Sequence, residues 1–147
     1  MKPPDVSVLM PVYNAERYLA ESIECILNQT FTNFEFLIFN DGSTDGSAEI
    51  ISSYNDNRII FKDNEKNEGY VKHLVEGVKI SKGKYIARID ADDVSLPSRL
   101  EKQVKFPNNN LNIAVVGSYA IHIDSNGNLL CYRKLPVNSD SNLLYII

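Results

Sequence analysis

Strand-type and helix-type segments alternate along most of this chain, and that alternation restricts it to α/β folds built from crossover units around a largely parallel sheet. Val6 to Val12 and Phe34 to Asn40 are short, mostly apolar runs, as strands covered on both faces must be. Between them, Asn14 is placed to cap a helix whose Leu19, Ile23, Ile26, Leu27 stripe has helical spacing. A second helix is expected from Thr44 to Tyr54, capped by Ser43 or Thr44 with Ile50 and Ile51 facing in, before a strand from Arg58 to Lys62. Val71, Leu74, Val75 and Val78 predict a third helix with Val75 in the core, and Gly83 a stop before the strand Tyr85 to Asp90. Pro97 suits the first turn of a short helix carrying Leu100 and Val104. Ile113 to Gly117 is strand-like. Tyr119 to Asp124 and Leu129 to Arg133 flank the hairpin turn Ser125-Asn126-Gly127-Asn128. Ser139 to Ile147, with Leu143, Leu144 and Ile147 behind a capping signal, is expected to begin a helix.

A length of 147 residues fits one domain and buries enough surface to fold without disulfide or metal staples. Fifteen Lys and Arg against 19 Asp and Glu give a formal charge of −4, which argues against nucleic acid or an anionic lipid surface as partner. Cys25 and Cys131 stand far apart with no ligand-type neighbours and are expected to be inert, buried or half-buried thiols. His73 and His122 are expected to be surface or structural. No apolar run reaches membrane-span length and no hydrophobic leader follows Met1, so a cytoplasmic chain is expected, any peripheral membrane contact being left to residues beyond position 147.

In an open α/β sheet, ligands bind at the carboxyl edge of the strands, near a switch in strand order. Three polar clusters fall there: Pro11-Val12-Tyr13-Asn14, Asp41-Gly42-Ser43-Thr44-Asp45 and Asp90-Ala91-Asp92-Asp93. Neither a dinucleotide fingerprint nor a P-loop occurs. An acidic pocket cannot hold a pyrophosphate unaided, so a hard divalent cation between aspartates and phosphate oxygens is inferred. Alternate residues of an extended segment point the same way, which would let Asp90 and Asp92 face one ligand while Ala91 leaves room.

The segments VSVLMPVYN (Val6 to Asn14), NDGSTDGS (Asn40 to Ser47), Asn67-Glu68-Gly69, GKYIARIDADD (Gly83 to Asp93) and LPSRLEKQ (Leu96 to Gln103) resemble, in order and spacing, the donor-binding half of a family 2 glycosyltransferase. The resemblance implies the GT-A fold, a Rossmann-like, mostly parallel sheet flanked by helices. It also implies inverting transfer of a sugar from a nucleotide diphosphate sugar, a UDP-sugar by default, to a saccharide or lipid-linked acceptor, as in cell-surface polysaccharide synthesis. Carried over by motif, Pro11, Val12, Tyr13 and Asn14 resemble the first nucleotide contact, with Tyr13 against the base and Glu16 a weaker candidate nearby. Asp41 resembles the partner of the nucleobase edge, and Asn67 and Gly69 the loop over the nucleoside. Asp90 is assigned mainly to the ribose side and Asp92 to the Mn²⁺ or Mg²⁺ bridging the diphosphate, with Asp90 beside the metal; Asp93 supports them or touches the donor sugar.

Two features depart from the family pattern. The catalytic base, usually an Asp in a downstream Glu-Asp pair, has no counterpart among these residues, so the expectation is a domain incomplete at its carboxyl end, with no catalytic residue of its own and an apolar end prone to self-association. Val75 occupies a helix position where relatives usually place Asn. The alternatives are a non-catalytic nucleotide-sugar binding module and, less compatible with the missing glycine-rich triphosphate loop, a nucleotidyltransferase.

Overall fold

The computed structural model describes residues 2–109, 114–133 and 143–145. The chain forms two compact units, Met1–Pro97 and Ser98–Ile147. The first runs β1 (Val6–Val12), α1 (Glu16–Leu27), β2 (Phe34–Asp41), α2 (Ser47–Ser53), β3 (Ile59–Asn64), α3 (Tyr70–Ile80) and β4 (Tyr85–Arg88). Its four strands form one sheet in the order β3-β2-β1-β4, with every ladder parallel. The chain therefore steps outward from β1 to β2 and β3, then crosses back to place β4 on the other side of β1. That reversal opens a crevice between the carboxyl ends of β1 and β4.

The central strands read as they do because both of their faces are covered: all eight residues of β2 are buried, and all of β1 except the half-buried Pro11. Leu9, Leu37 and Phe39 form a buried cluster on the face that Leu74 of α3 covers. Alternation sends Val8, Met10, Phe36 and Ile38 to the opposite face, and Leu19, Ile23 and Ile26 of α1 are fully buried. The second unit holds α4 (Arg99–Asn109), β5 (Val115–Gly117), β6 (Ala120–Ile123), β7 (Leu129–Arg133) and β8 (Leu143–Tyr145). β6 and β7 pair antiparallel around the expected turn, where Gly127 has φ +82° and Asp124 accepts from the N–H groups of Asn126 and Asn128.

Several local expectations are corrected. Asn14 does not cap α1: it has φ +49°, Ala15 is the N-cap residue, and the helix N–H groups are met by side chains of the Asp41 to Ser47 loop. α2 starts at Ser47 behind Gly46, because Ser43 and Thr44 are bonded to Asn14 instead; Ile51 is buried and Ile50 half-buried. Val75 is 50% exposed, as Gly77 lets α3 approach β1 so closely that a Cβ there would lie 3.0 Å from the Leu9 methyls. The inward face of α3 is thus His73, Leu74 and Gly77, and Val71, Val75 and Val78 lie off it. α3 ends before Gly83, whose place is set by close approach: its N–H donates to Ser7 Oγ, and a Cβ would strike the β1 backbone. Cys25 is half-buried, but Cys131 is exposed. Leu143–Tyr145 is a strand pairing parallel with Val115–Gly117, where a helix was expected; the rest of that stretch, from Ser139 to Asn142 with Ile146 and Ile147, lies outside the described residues. Three apolar residues suit either period, so a strand partner decides.

Candidate functional site

An open cleft of about 430 Å³ lies at the carboxyl edge of the sheet, at the switch between β1 and β4. Pro11, Val12, Tyr13, Asn14 and Ala15 line it from the end of β1, and Tyr18 from α1. Asp41 closes β2 behind it. Arg88, Asp90, Ala91 and Asp92 line the β4 side, with Tyr70 from the start of α3. Of the residues expected from sequence, Glu16, Asn67, Gly69 and Asp93 are not among those lining the cleft.

The β1 wall is held by a reciprocal arrangement of helix starts. Asn14 Oδ1 accepts from the Thr44 N–H at 2.8 Å, and the Asn14 N–H donates to Ser43 Oγ at 3.0 Å. The Asp45 carboxylate takes the Glu16 N–H on one oxygen and the Ser47 N–H on the other, each at 3.0 Å, so one side chain serves the first turns of both α1 and α2. Burial raises the Asp45 pKa, but the Ser47 and Glu16 donors outweigh it and the group sits below the ordinary carboxylate value. Glu16 Oε2 in turn accepts from the Gly46 N–H at 2.7 Å, a bond within the protein that accounts for its position.

Asp41, 3% exposed, is the most heavily bonded carboxylate at the cleft. Its Oδ1 accepts from the Glu68 N–H at 2.6 Å and from His73 Nε2 at 2.6 Å, while Oδ2 accepts from the Gly69 N–H at 3.0 Å. Asn67 and Gly69 thus bear on the cleft through Asp41, which anchors their loop. Gly42, with φ +67°, permits this: a Cβ there would lie 2.5 Å from the Lys66 carbonyl carbon. Burial pushes the Asp41 pKa up, yet the donors from Glu68, His73 and Gly69 hold it below the ordinary value, so it is an anion at neutral pH.

On the β4 side, Arg88 Nη2 donates to Asp90 Oδ1 at 2.7 Å and Nε to the same oxygen at 3.1 Å, and the guanidinium carbon lies 5.6 Å from the Tyr70 ring centre. The aspartate segment is a turn, not an extended run: the Asp93 N–H donates to the Asp90 carbonyl at 3.2 Å, and Ala91 lines the cleft between Asp90 and Asp92. No group of three or more metal-type side chains occurs among the described residues. Two carboxylates with Asp90 Oδ2 clear of the Arg88 bonds still fit a hard divalent cation that takes its other ligands from phosphate and water.

Sequence reasoning missed Ala15, Tyr18, Tyr70 and Arg88; His73, expected to be surface or structural, is buried and structural, and only its link to Asp41 went unforeseen. Arg88 was legible: two positions before Asp90 at a strand end, it belongs on the same face. Gly77, four residues after His73, was the signal for the inward face of α3, since a mid-helix glycine costs about 1 kcal/mol unless close packing needs it.

Residues 7–142 match the family model described as glycosyl transferase family 2. An uncharacterized glycosyltransferase of Methanocaldococcus jannaschii is 49% identical over 134 residues, a match covering 88% of this chain and 46% of that protein. This chain therefore spans less than half the length of that relative. Among solved structures, S. aureus TarS 1-349 in complex with UDP aligns with a TM-score of 0.70 at 25% identity over 78% of this chain and 35% of that one. The mannosyltransferase PcManGT of Pyrobaculum calidifontis, in complex with GDP-Man and Mn²⁺, shares the fold with a TM-score of 0.68 at 22% identity, over 80% and 36% of the two chains. Parallel sheet, flanking helices and these neighbours together identify the GT-A fold, and the chain belongs to glycosyl transferase family 2.

Proposed function

We propose that the cleft binds a nucleoside diphosphate sugar, by default a UDP-sugar, and that the chain supplies the donor site of an inverting glycosyltransferase acting on a saccharide or lipid-linked acceptor, as in cell-surface polysaccharide synthesis. The observation that carries this reading is the division of charge in the cleft. Asp41, a fixed anion with most of its acceptor capacity spent inside the protein, stands on one side, and Asp90, Asp92 and Arg88 stand on the other. Tyr13, 52% exposed at the cleft, offers a face for a base, and Asp41 an acceptor for a ring N–H. Asp90 and Asp92 would hold Mn²⁺ or Mg²⁺, which supplies Lewis-acid stabilisation of the departing diphosphate. Arg88 is placed to add positive charge beside the same oxygens. TarS crystallised with UDP and PcManGT with GDP-Man and Mn²⁺ support the ligand class.

Calorimetric titration of UDP, UDP-GlcNAc and GDP-mannose into the chain, with Mn²⁺ and with EDTA, tests it. Binding of at least one of them is expected, weakened strongly by EDTA. Equal affinity in both buffers would remove the metal from the site, and no binding of any would remove the donor reading.

A further inference from the structure

We propose that His73 is a positioning residue for the nucleobase end of the cleft, fixing which oxygen of Asp41 meets the ligand; this rests on the donor-site reading above. His73 is fully buried on the first turns of α3, yet both ring nitrogens are engaged. Asn64 Nδ2, at the end of β3, lies 3.3 Å from Nδ1, and Phe39 of β2 stacks on the ring at 5.7 Å between centres. An amide nitrogen can only donate, so Nδ1 accepts and Nε2 carries the proton that goes to Asp41. The ring is therefore a donor to Asp41 held in place by contacts from β2 and β3.

A carboxylate offers about four acceptor positions. At Asp41, the Glu68 N–H and His73 Nε2–H take both positions of Oδ1 and the Gly69 N–H takes one of Oδ2, leaving a single position on Oδ2 at a residue that lines the cleft. With both positions of Oδ1 held, the ligand can meet Asp41 only through that last position on Oδ2. A base with a ring N–H on its pairing edge, such as uracil, can supply the donor, whereas cytosine presents a bare ring nitrogen there and meets the anion lone pair to lone pair. Without His73, Oδ1 has an open position and the carboxylate can turn, so the preference for a ring N–H should fade.

The experiment compares UDP and CDP binding, with Mn²⁺ present, in the parent chain, His73→Phe and His73→Gln. The parent should prefer UDP. His73→Phe keeps the ring stack but donates nothing, and should weaken UDP by about tenfold, the scale of one modest hydrogen bond, with little change for CDP. His73→Gln, which restores an N–H donor, should recover most of the UDP:CDP ratio. A folded His73→Phe with the parent's ratio would overturn the proposal. Should His73→Phe fail to fold, ¹⁵N shifts of the parent imidazole decide: an Nε2–H ring whose Nε2 proton responds to UDP and not to CDP supports it, and an Nδ1–H ring or an unresponsive one overturns it. A parent chain that binds no nucleoside diphosphate fails at the earlier step, and the donor reading goes with it.

Discussion

Removing the carboxylate of Asp41 would leave three donors without an acceptor at once: the N–H groups of Glu68 and Gly69 and the His73 ring. Asp41→Ala should therefore cost stability, about 1–3 kcal/mol as for other buried polar groups left unsatisfied, measurable in a urea titration. It should also weaken uridine and UDP alike, by roughly ten- to a hundredfold if the lost bond is charge-assisted, whereas Asp92→Ala should mainly abolish the metal-dependent part of UDP binding. A folded Asp41→Ala that binds uridine like the parent would end the base-contact role. Arg88 allows a prediction of opposite signs, because its guanidinium is paired with Asp90 Oδ1 and its charge would repel a cation taken up by the same carboxylate. Arg88→Gln should tighten Mn²⁺ binding to the chain alone, followed by electron paramagnetic resonance, yet weaken UDP in EDTA; a fall in both would mean that Arg88 merely props up the loop. At this scale the cleft-lining Asp41, Asp90 and Asp92 were legible because Asp at a strand end in an α/β pattern falls at the carboxyl edge of the sheet. The link from His73 to Asp41 was not, since the two lie 32 positions apart and nothing local joins them.

α1 and α2 begin at one shared knot. Asp45 bonds the N–H of Glu16 and of Ser47, Ser47 Oγ accepts from the Ala15 N–H, and Glu16 accepts from the Gly46 N–H. Both helices are short, so their first turns depend on these acceptors more than on propensity. Asp45→Ala should destabilise the chain by about 1–2 kcal/mol, the usual worth of a lost N-cap, and a urea midpoint unchanged from the parent would show that solvent replaces the knot freely. Cap residues were expected from sequence, but within each helix's own flank. The structure exchanges them between loops some 30 residues apart, as with Asn14 and Thr44, which no local pattern encodes. α3 misled for a related reason: Val71, Val75 and Val78 have helical spacing, but the close approach at Gly77 fixes the buried arc on His73, Leu74 and Gly77.

Over the whole chain, the alternating pattern identified the parallel sheet because β1 and β2 are covered on both faces and read as continuous apolar runs. What it could not supply was the strand at Leu143–Tyr145, which depends on a pairing partner distant in the sequence. The first unit, Met1–Pro97, also concentrates carboxylates whose pKa is lowered on folding: Asp41 and Asp45 against the pull of burial, and Asp56 chiefly through the Arg58 side chain. For each of them the unfolded chain binds protons more readily than the folded one as the medium is acidified. Their stabilisation is present in full above the ordinary aspartate value of 3.8 and drains away as the pH falls through the lowered folded values. Denaturant titrations of the parent at a series of pH values should thus show stability held through mild acid and falling below the ordinary carboxylate range. Asp45→Ala lacks one of these groups, so the stability gap between it and the parent should be widest near pH 7 and close as the parent's Asp45 becomes protonated. A gap of constant size from neutral pH to strong acid would mean that the capping of α1 and α2 owes nothing to the charge on Asp45.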